Sequence, residues 1–314
     1  MLLRAFGKTD LSVSQVGLGC ARIGGIFQRD TRAFLDLLSV ARDGGINFFD
    51  TADMYSQGES EELIGRAFRG VRSKVVIASK AGHCLPARRK FVARLKPVLG
   101  PVIRLLKIRR DRLPQSARGA LAQDFSPSYL RKAIEGSLRR LRTDYLDVFQ
   151  LHSPPADVVA RGEWEPTLEA MKRAGKIRYY GVSCDTLEAG LAALRYSGVS
   201  VVQFPLNLLE QRAAEMLGPH LRASGVAGIA RECLANGLLV KEAHEVDVGS
   251  FCSSDAQRQL REGQLATFRE SATARGVPLA RLAMDYVGSA EGVSVALVGA
   301  RNIEQLRGVL GALA

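Results

Sequence analysis

The sequence predicts an α/β fold, a single (β/α)8 barrel, on three observations. Short apolar runs bounded by turn residues alternate with helix-period segments along the whole 314-residue chain. Counted from Val13–Leu18 onward, these strand-like runs number eight, which suits a closed barrel better than an open sheet. Three of them, in INFFDTADMY, VVIASK and YLDVFQLH, bring Asp50 with Tyr55, Lys80 and His152 to their C-terminal edge or the loop just after it. In a barrel of parallel strands that edge carries the chemistry.

Element by element, the reading begins with a strand over 13–18, a helix over 32–43, a strand over 46–50 and a helix over 60–69. A strand at 74–79, a helix at 128–141 and a strand at 144–151 follow. Further strands fall at 177–182, 200–204, 226–230 and 293–298, with helices near 165–174, 186–196, 212–223, 257–275 and 303–311. Strands that alternate with helices pair in parallel through crossover units. Ser126 before Pro127 places a capping hydroxyl ahead of a proline at the first helical position, where a missing N–H costs nothing. Asp185 is the expected cap of the helix near 186. Neither an internal repeat nor a low-complexity linker divides the chain, so one domain is expected.

Composition bounds the class without naming it. The length suits one barrel with a sizeable core. No apolar stretch is long enough to span a bilayer, and the N-terminus lacks the basic-then-apolar plan of a signal peptide, so a cytoplasmic protein is expected. Cys20, Cys84, Cys184, Cys233 and Cys252 are odd in number and lack paired spacing, which argues against a disulfide framework or a zinc site. Buried, inert thiols are the expectation for Cys20, Cys184 and Cys233, and no metal is expected. His83 and Cys84, potential ligands without partners at metal spacing, are read as loop positions lining a pocket. Trp164 is expected to pack a helix start against the barrel, and His220 and His244 to be surface or loop histidines.

The four edge residues suit proton transfer. A tyrosine, with an ordinary pKa of about 10, is a poor proton donor near neutrality unless a cation lowers that value. Lys80 is placed to be that cation, and a buried ammonium needs an anion such as Asp50 to stay charged. A neutral His152 can orient a carbonyl oxygen beside the Tyr55 hydroxyl. These residue types fit protonation of a developing alkoxide while a cofactor supplies hydride.

At this point the chain resembles the aldo-keto reductase superfamily. The resemblance rests on VGLGCARIGG at 16–25, GINFFDTADMYSQGESEELIGRA at 45–67, Lys80, SLRRLRTDYLDVFQLH at 137–152, GKIRYYGVS at 175–183 and VGARNIEQL at 298–306. It implies a TIM barrel that moves hydride between NADPH and a carbonyl or alcohol. Tyr55 would be the general acid/base, Lys80 and Asp50 would tune it, and His152 would position substrate.

For the cofactor, the resemblance implies that VGARNIEQL binds the adenine end of NADPH. Arg301 in the turn before that helix can pair with a ribose 2′-phosphate, Glu304 and Gln305 can reach adenosine, and a helix N-terminus offers free N–H groups to an anion. Gly299 and Ala300 belong to the same turn, and Gly19 and Leu234 complete the expected cofactor positions. Ser183 and Gln203 match the donors and acceptors of the nicotinamide carboxamide. Where the family commonly has Asn after that serine, this chain has Cys184. Arg231 stands near a position where many members stack an aromatic ring on the nicotinamide. Its guanidinium can stack, pair with phosphate, or form a salt bridge to Glu232 or another acid.

The main departure is a basic insertion after the third strand, about 84–123. It holds eleven Lys or Arg and one acid, Asp111, and so carries +10 of the formal +12 net charge. Phe91, Leu95, Leu99, Ile103 and Leu106 are among the apolar residues that interleave with the charges, and Pro97 and Pro101 would divide the segment into two short amphipathic helices. A lid that attracts an anionic carbonyl substrate, a solvated excursion, and a surface for peripheral membrane or protein contact all fit this pattern. Nucleic acid does not, because Phe91 alone provides no stacking ladder. The other class of function open to the sequence is a cofactor-binding regulatory or redox-sensing subunit that docks a partner through the insertion. Substrate identity would lie in this segment and in 239–254.

Overall fold

A computed structural model describes residues 1–21, 23, 30–84, 122–240 and 247–313. Eight parallel strands close into a barrel in the order β3 (Val16–Gly19), β4 (Phe48–Asp50), β5 (Val76–Ala81), β8 (Leu146–His152), β9 (Ile177–Ser183), β10 (Val199–Pro205), β11 (Ala227–Arg231) and β12 (Val293–Gly299), the last pairing back to the first. This is the (β/α)8 TIM barrel that the sequence predicts.

Two small antiparallel ladders flank it. β1 (Leu3–Ala5) pairs with β2 (Ser12–Ser14). β6 (His83–Cys84) pairs with β7 (Ala122–Gln123) in the register His83 to Gln123 and Cys84 to Ala122. The single strand expected at 13–18 is thus two pieces. Gln15 N–H donates to Leu2 O at 3.0 Å and Ser14 Oγ to Val16 O at 2.6 Å, which turns the chain from the hairpin into the barrel wall. The hairpin acts as a plug: Phe6, Leu11 and Val13 form one buried cluster with the inward-facing Phe48, Val76, Val148, Val201 and Ile229.

The helices form the outer layer: α1 (Thr31–Asp43), α2 (Glu59–Ala67), α3 (Pro127–Leu141), α4 (Ala156–Arg161), α5 (Glu165–Arg173), α6 (Leu187–Ala193), α7 (Arg212–Ser224), α8 (Asp255–Ala274), α9 (Leu279–Ser289) and α10 (Ile303–Leu313). They bury Leu37, Ile64, Ile134, Leu168 and Leu217 against Phe49, Phe149 and Val182 on the outer barrel face. Each such side chain contributes about 1.5–3 kcal/mol by leaving water.

Ser126 caps α3, its hydroxyl accepting from Tyr129 N–H, with proline at the first helical position as expected. The cap of α6 is Thr186 and not Asp185, its hydroxyl accepting from Ala189 N–H. Asp185 is engaged elsewhere, with Arg231. Trp164 is fully buried at the start of α5, edge-on to Tyr180 and Tyr196. The short α4 and α9 have no counterpart in the sequence reading. The first is too brief to show a period, and the second buries a face of small residues, Ala280, Ala283 and Gly288 with Met284 and Val287. None of the helices among the described residues is long and apolar enough to cross a membrane.

Candidate active site

The C-terminal edges of β4, β5 and β8 bring three of the four predicted residues together. Asp50 ends β4, Lys80 is the last residue but one of β5, and His152 ends β8. Lys80 Nζ donates to both Asp50 carboxylate oxygens at 2.6 Å and to Thr51 O at 3.0 Å. The pair is sealed, with side-chain exposures of 2% for Lys80 and 6% for Asp50. Burial works hardest against the Lys80 charge, yet Asp50 and Tyr55 together outweigh it and the lysine pKa is raised, so the ammonium persists.

Tyr55 reaches the same place from the turn after β4. That turn is held in an uncommon conformation, since Ser56 and Gln57 both have positive φ (50° and 63°) and Gly58 follows at 93°. Ser56 Oγ anchors it by donating to Ile23 O at 2.8 Å. Lys80 Nζ stands 5.3 Å from the centroid of the Tyr55 ring, and the His152 ring meets Tyr55 edge-on at 5.7 Å.

The electrostatics correct one expectation. Burial raises the Tyr55 pKa above its ordinary value, and the lowering effect of Lys80, partly cancelled by Asp50, does not overcome it. The hydroxyl is therefore a protonated donor at neutral pH. For His152 the reading of a neutral imidazole holds: burial, then the nearby Lys80 charge, depresses its pKa well below 6.5.

One cavity of about 630 Å³ joins these residues to the far end of the predicted cofactor path. Asp50, Tyr55, Lys80 and His152 line it together with Gly19, Ser183, Gln203, Arg231, Leu234, Gly299, Arg301 and Gln305. Of the predicted positions, Ala300 and Glu304 stay outside the lining: Ala300 is buried and Glu304 faces solvent. Asn302 caps α10, its side chain accepting from Gln305 N–H at 2.8 Å, while Gln305 Oε1 takes the Arg301 N–H at 3.0 Å.

At the Asp50 end Gln203 Nε2 donates to Asp50 Oδ1 at 3.2 Å, and Gln203 Oε1 is buried without a partner among the described residues. Ser183, the register partner of His152 across β8 and β9, is buried beside it. An orphaned acceptor in a cavity wall fits a carboxamide N–H. Cys184 offers nothing comparable, because its thiol donates to Gln203 O at 3.3 Å and lines a neighbouring cavity of about 560 Å³. Arg231 forms ion pairs with Asp185 and Glu232, the salt-bridge reading of the three open to it. Burial pushes the Cys184 and Cys233 thiols up to about 12 and raises Cys20 further, as suits inert thiols.

Most of the basic insertion, 85–121, lies outside the described residues, and so do the two helices and the lid expected there. Its roots are described. β6 and β7 hold them together, and Gln123 Nε2 donates to Ser153 O at 2.8 Å, next to His152. Sequence reasoning passed over Asp53 and Tyr129, which meet at 3.3 Å beside this root. Asp53 stands inside the quoted DTADMY string, and its odd placement, a carboxyl between two site residues, was the available signal. His83, read as a pocket-lining loop residue, instead packs its ring edge-on to His152 at 4.7 Å and stays outside the cavity lining.

This geometry agrees with sequence kinship. The profile of the Aldo/keto reductase family matches residues 15–314, and the chain belongs to that family. It is 28% identical to the uncharacterized oxidoreductase YqkF of Bacillus subtilis, over 98% of this chain and 89% of that protein. Among solved structures, the holo form of aldo-keto reductase AKR11C1 from Bacillus halodurans superposes with a TM-score of 0.78 at 27% identity, covering 100% of this chain and 91% of the other. The glycerol dehydrogenase AKR11B4 from Gluconobacter oxydans gives 0.79 at 26% identity, covering 99% and 90%. The protein is thus an oxidoreductase of a family that works with a nicotinamide cofactor.

Proposed function

We propose that the protein is an NADPH-dependent reductase of an aldehyde or ketone, with Tyr55 as general acid. The observation that carries this reading is the sealed Lys80–Asp50 pair set beneath Tyr55 and a neutral His152, in a cavity that continues to Arg301. When bound, the reduced nicotinamide supplies hydride. Gln203 Oε1 and Ser183 would hold its carboxamide, and Arg301 would face the ribose 2′-phosphate that distinguishes NADPH from NADH. Arg231 sits along the cavity wall between these ends, where its two acidic partners leave it least free to pair with phosphate.

The chain's own part is the proton. His152 donates a hydrogen bond that orients the carbonyl oxygen beside the Tyr55 hydroxyl. Tyr55 gives its proton to that oxygen as negative charge develops there, and Lys80, kept cationic by Asp50, stabilises the phenolate left behind. In the reverse direction Tyr55 takes the proton back. The charge of the 84–123 segment favours an anionic carbonyl substrate arriving at the face where its roots emerge.

The test is fluorescence titration with NADPH and NADH, followed by NADPH consumption with matched neutral and anionic aldehydes. Tight NADPH binding with turnover is expected, and faster turnover of the anionic members. Tight binding with no turnover on any carbonyl would favour a regulatory subunit, and failure to bind either nucleotide would remove the cofactor assignment.

A further inference from the structure

The turn between Asp50 and Tyr55 holds a second carboxyl, Asp53, that the proposed proton transfer does not use. Its Oδ1 is sealed from solvent and has no hydrogen-bond partner among the described residues. Its Oδ2 lies 3.3 Å from the Tyr129 hydroxyl on α3, and that same hydroxyl lies 3.3 Å from the backbone carbonyl oxygen of His83 on β6. Tyr129 Oη carries one proton and faces two acceptors. If Asp53 were ionised, the single Tyr129 proton could serve only one of the two acceptors of this half-buried hydroxyl. If Asp53 is protonated the chain closes: its O–H donates to Tyr129 Oη, and the Tyr129 O–H donates to His83 O.

We propose that Asp53 is a positioning residue for the reaction, a neutral carboxyl whose proton, relayed through Tyr129, ties the turn carrying Tyr55 to the strand whose His83 ring packs on His152. The inference rests on the reductase reading of the site.

The surroundings favour the neutral form. Burial, and then repulsion from Glu61 on α2, push the Asp53 carboxyl up to about 7, against the pull of Arg140 on α3, the Tyr129 hydrogen bond and the Met54 backbone N–H. Arg140 is itself committed to Glu61, Nε to Oε2 at 2.6 Å, and the other Glu61 oxygen accepts from Ser79 Oγ at 2.6 Å. Lys80 on β5 meets Asp53 through the main chain, Asp53 N–H donating to Lys80 O at 2.9 Å, while its ammonium serves Asp50. On β6, burial lowers the His83 pKa, so its ring is neutral, and Cys84 bears on the Tyr129 hydroxyl from the same strand.

Ionisation would undo the relay. An Asp53 carboxylate draws the single Tyr129 proton to itself and releases His83 O, loosening the strand whose ring stands 4.7 Å from His152. Tyr55 and His152 do not titrate in this range, since burial raises the first and depresses the second. A step in rate near neutrality that Asp53→Asn abolishes therefore reports Asp53.

The experiment is kcat at saturating cofactor and substrate from about pH 5.5 to 9 for the wild type, Asp53→Asn and Tyr129→Phe. The wild-type rate should fall about fivefold or more through a step centred near pH 7. Asn donates through Nδ2 at every pH, so Asp53→Asn should keep the low-pH rate within about twofold and abolish the step. Tyr129→Phe removes the relay itself, so its kcat should stay at the reduced high-pH level across the range with no step, which carries the test if the Asn variant fails to fold; a step that survives in Tyr129→Phe also overturns the proposal. A flat wild-type profile, or a step that survives in Asp53→Asn, overturns the proposal. Carboxyl 13C NMR gives a readout independent of turnover: a resonance titrating near pH 7 and missing from Asp53→Asn is expected, and its absence also overturns the proposal. If that resonance is present and the wild type turns over no carbonyl at any pH, the reductase reading fails and the positioning role of Asp53 fails with it.

Discussion

The two ends of the 630 Å³ cavity are built on opposite principles. At the Lys80 end the charges satisfy one another before any ligand arrives: Lys80 and Asp50 are joined by two contacts of 2.6 Å and closed off from water. At the end proposed for adenosine, Arg301 is exposed and has no ion pair among the described residues, its backbone N–H alone being taken by Gln305. The difference teaches where function and stability are coupled. A residue can be deleted from the exposed end at little structural cost, whereas the sealed end cannot lose a member without stranding a buried charge.

Lys80→Met breaks that comparison most severely. It leaves the Asp50 carboxylate buried and unpaired, which should cost about 3–5 kcal/mol of stability in denaturant unfolding as well as turnover. Unfolding at the wild-type midpoint would show that the two ends do not differ in the way described. Arg301→Ala sharpens it from the other side. NADPH affinity should fall about tenfold, or about 1.4 kcal/mol, with NADH affinity changed less than about twofold and the melting temperature unmoved. Equal losses for both nucleotides would mean that Arg301 does not read the 2′-phosphate.

The effect of Asp53 on stability shows as a dependence on pH. A carboxyl whose folded pKa is raised from 3.8 to about 7 contributes stability that is complete below the lower value and lost as pH rises through the upper one. Asp53→Asn should therefore gain on the wild type in melting temperature between about pH 4 and 7 and hold a constant lead above that. A constant difference across that window would place the Asp53 proton elsewhere.

What could be read from the sequence follows from which forces act locally. The eight barrel strands were visible because burial on both faces leaves continuous apolar runs such as VVIAS and VSVALV, and their ends carried Asp50, Lys80 and His152 with them. The division of 13–18 was not, because nothing in VSQVGL marks where hairpin pairing gives way to barrel pairing. Helix α9 escaped because its buried face is made of small residues that give little contrast. Within the site, the residue types announced the Lys80–Asp50 pair, but the sign of the Tyr55 shift depends on how far burial outweighs a neighbouring cation, a balance set by three-dimensional packing. Asp53 and Tyr129 lie 76 positions apart, and only the packing of α3 against the turn after β4 shows that they share a proton's worth of hydrogen bonding. Arg231 shows the same limit, since either acidic partner was available in sequence and the fold supplied both.

The most direct test of the central claim is Tyr55→Phe, with NADPH affinity and single-turnover reduction of an activated aldehyde measured on the same preparation. If Tyr55 is the proton donor, the rate should fall by about 10²–10⁴-fold while NADPH affinity stays within about twofold. Full retention of rate would remove Tyr55 from the mechanism and contradict the account.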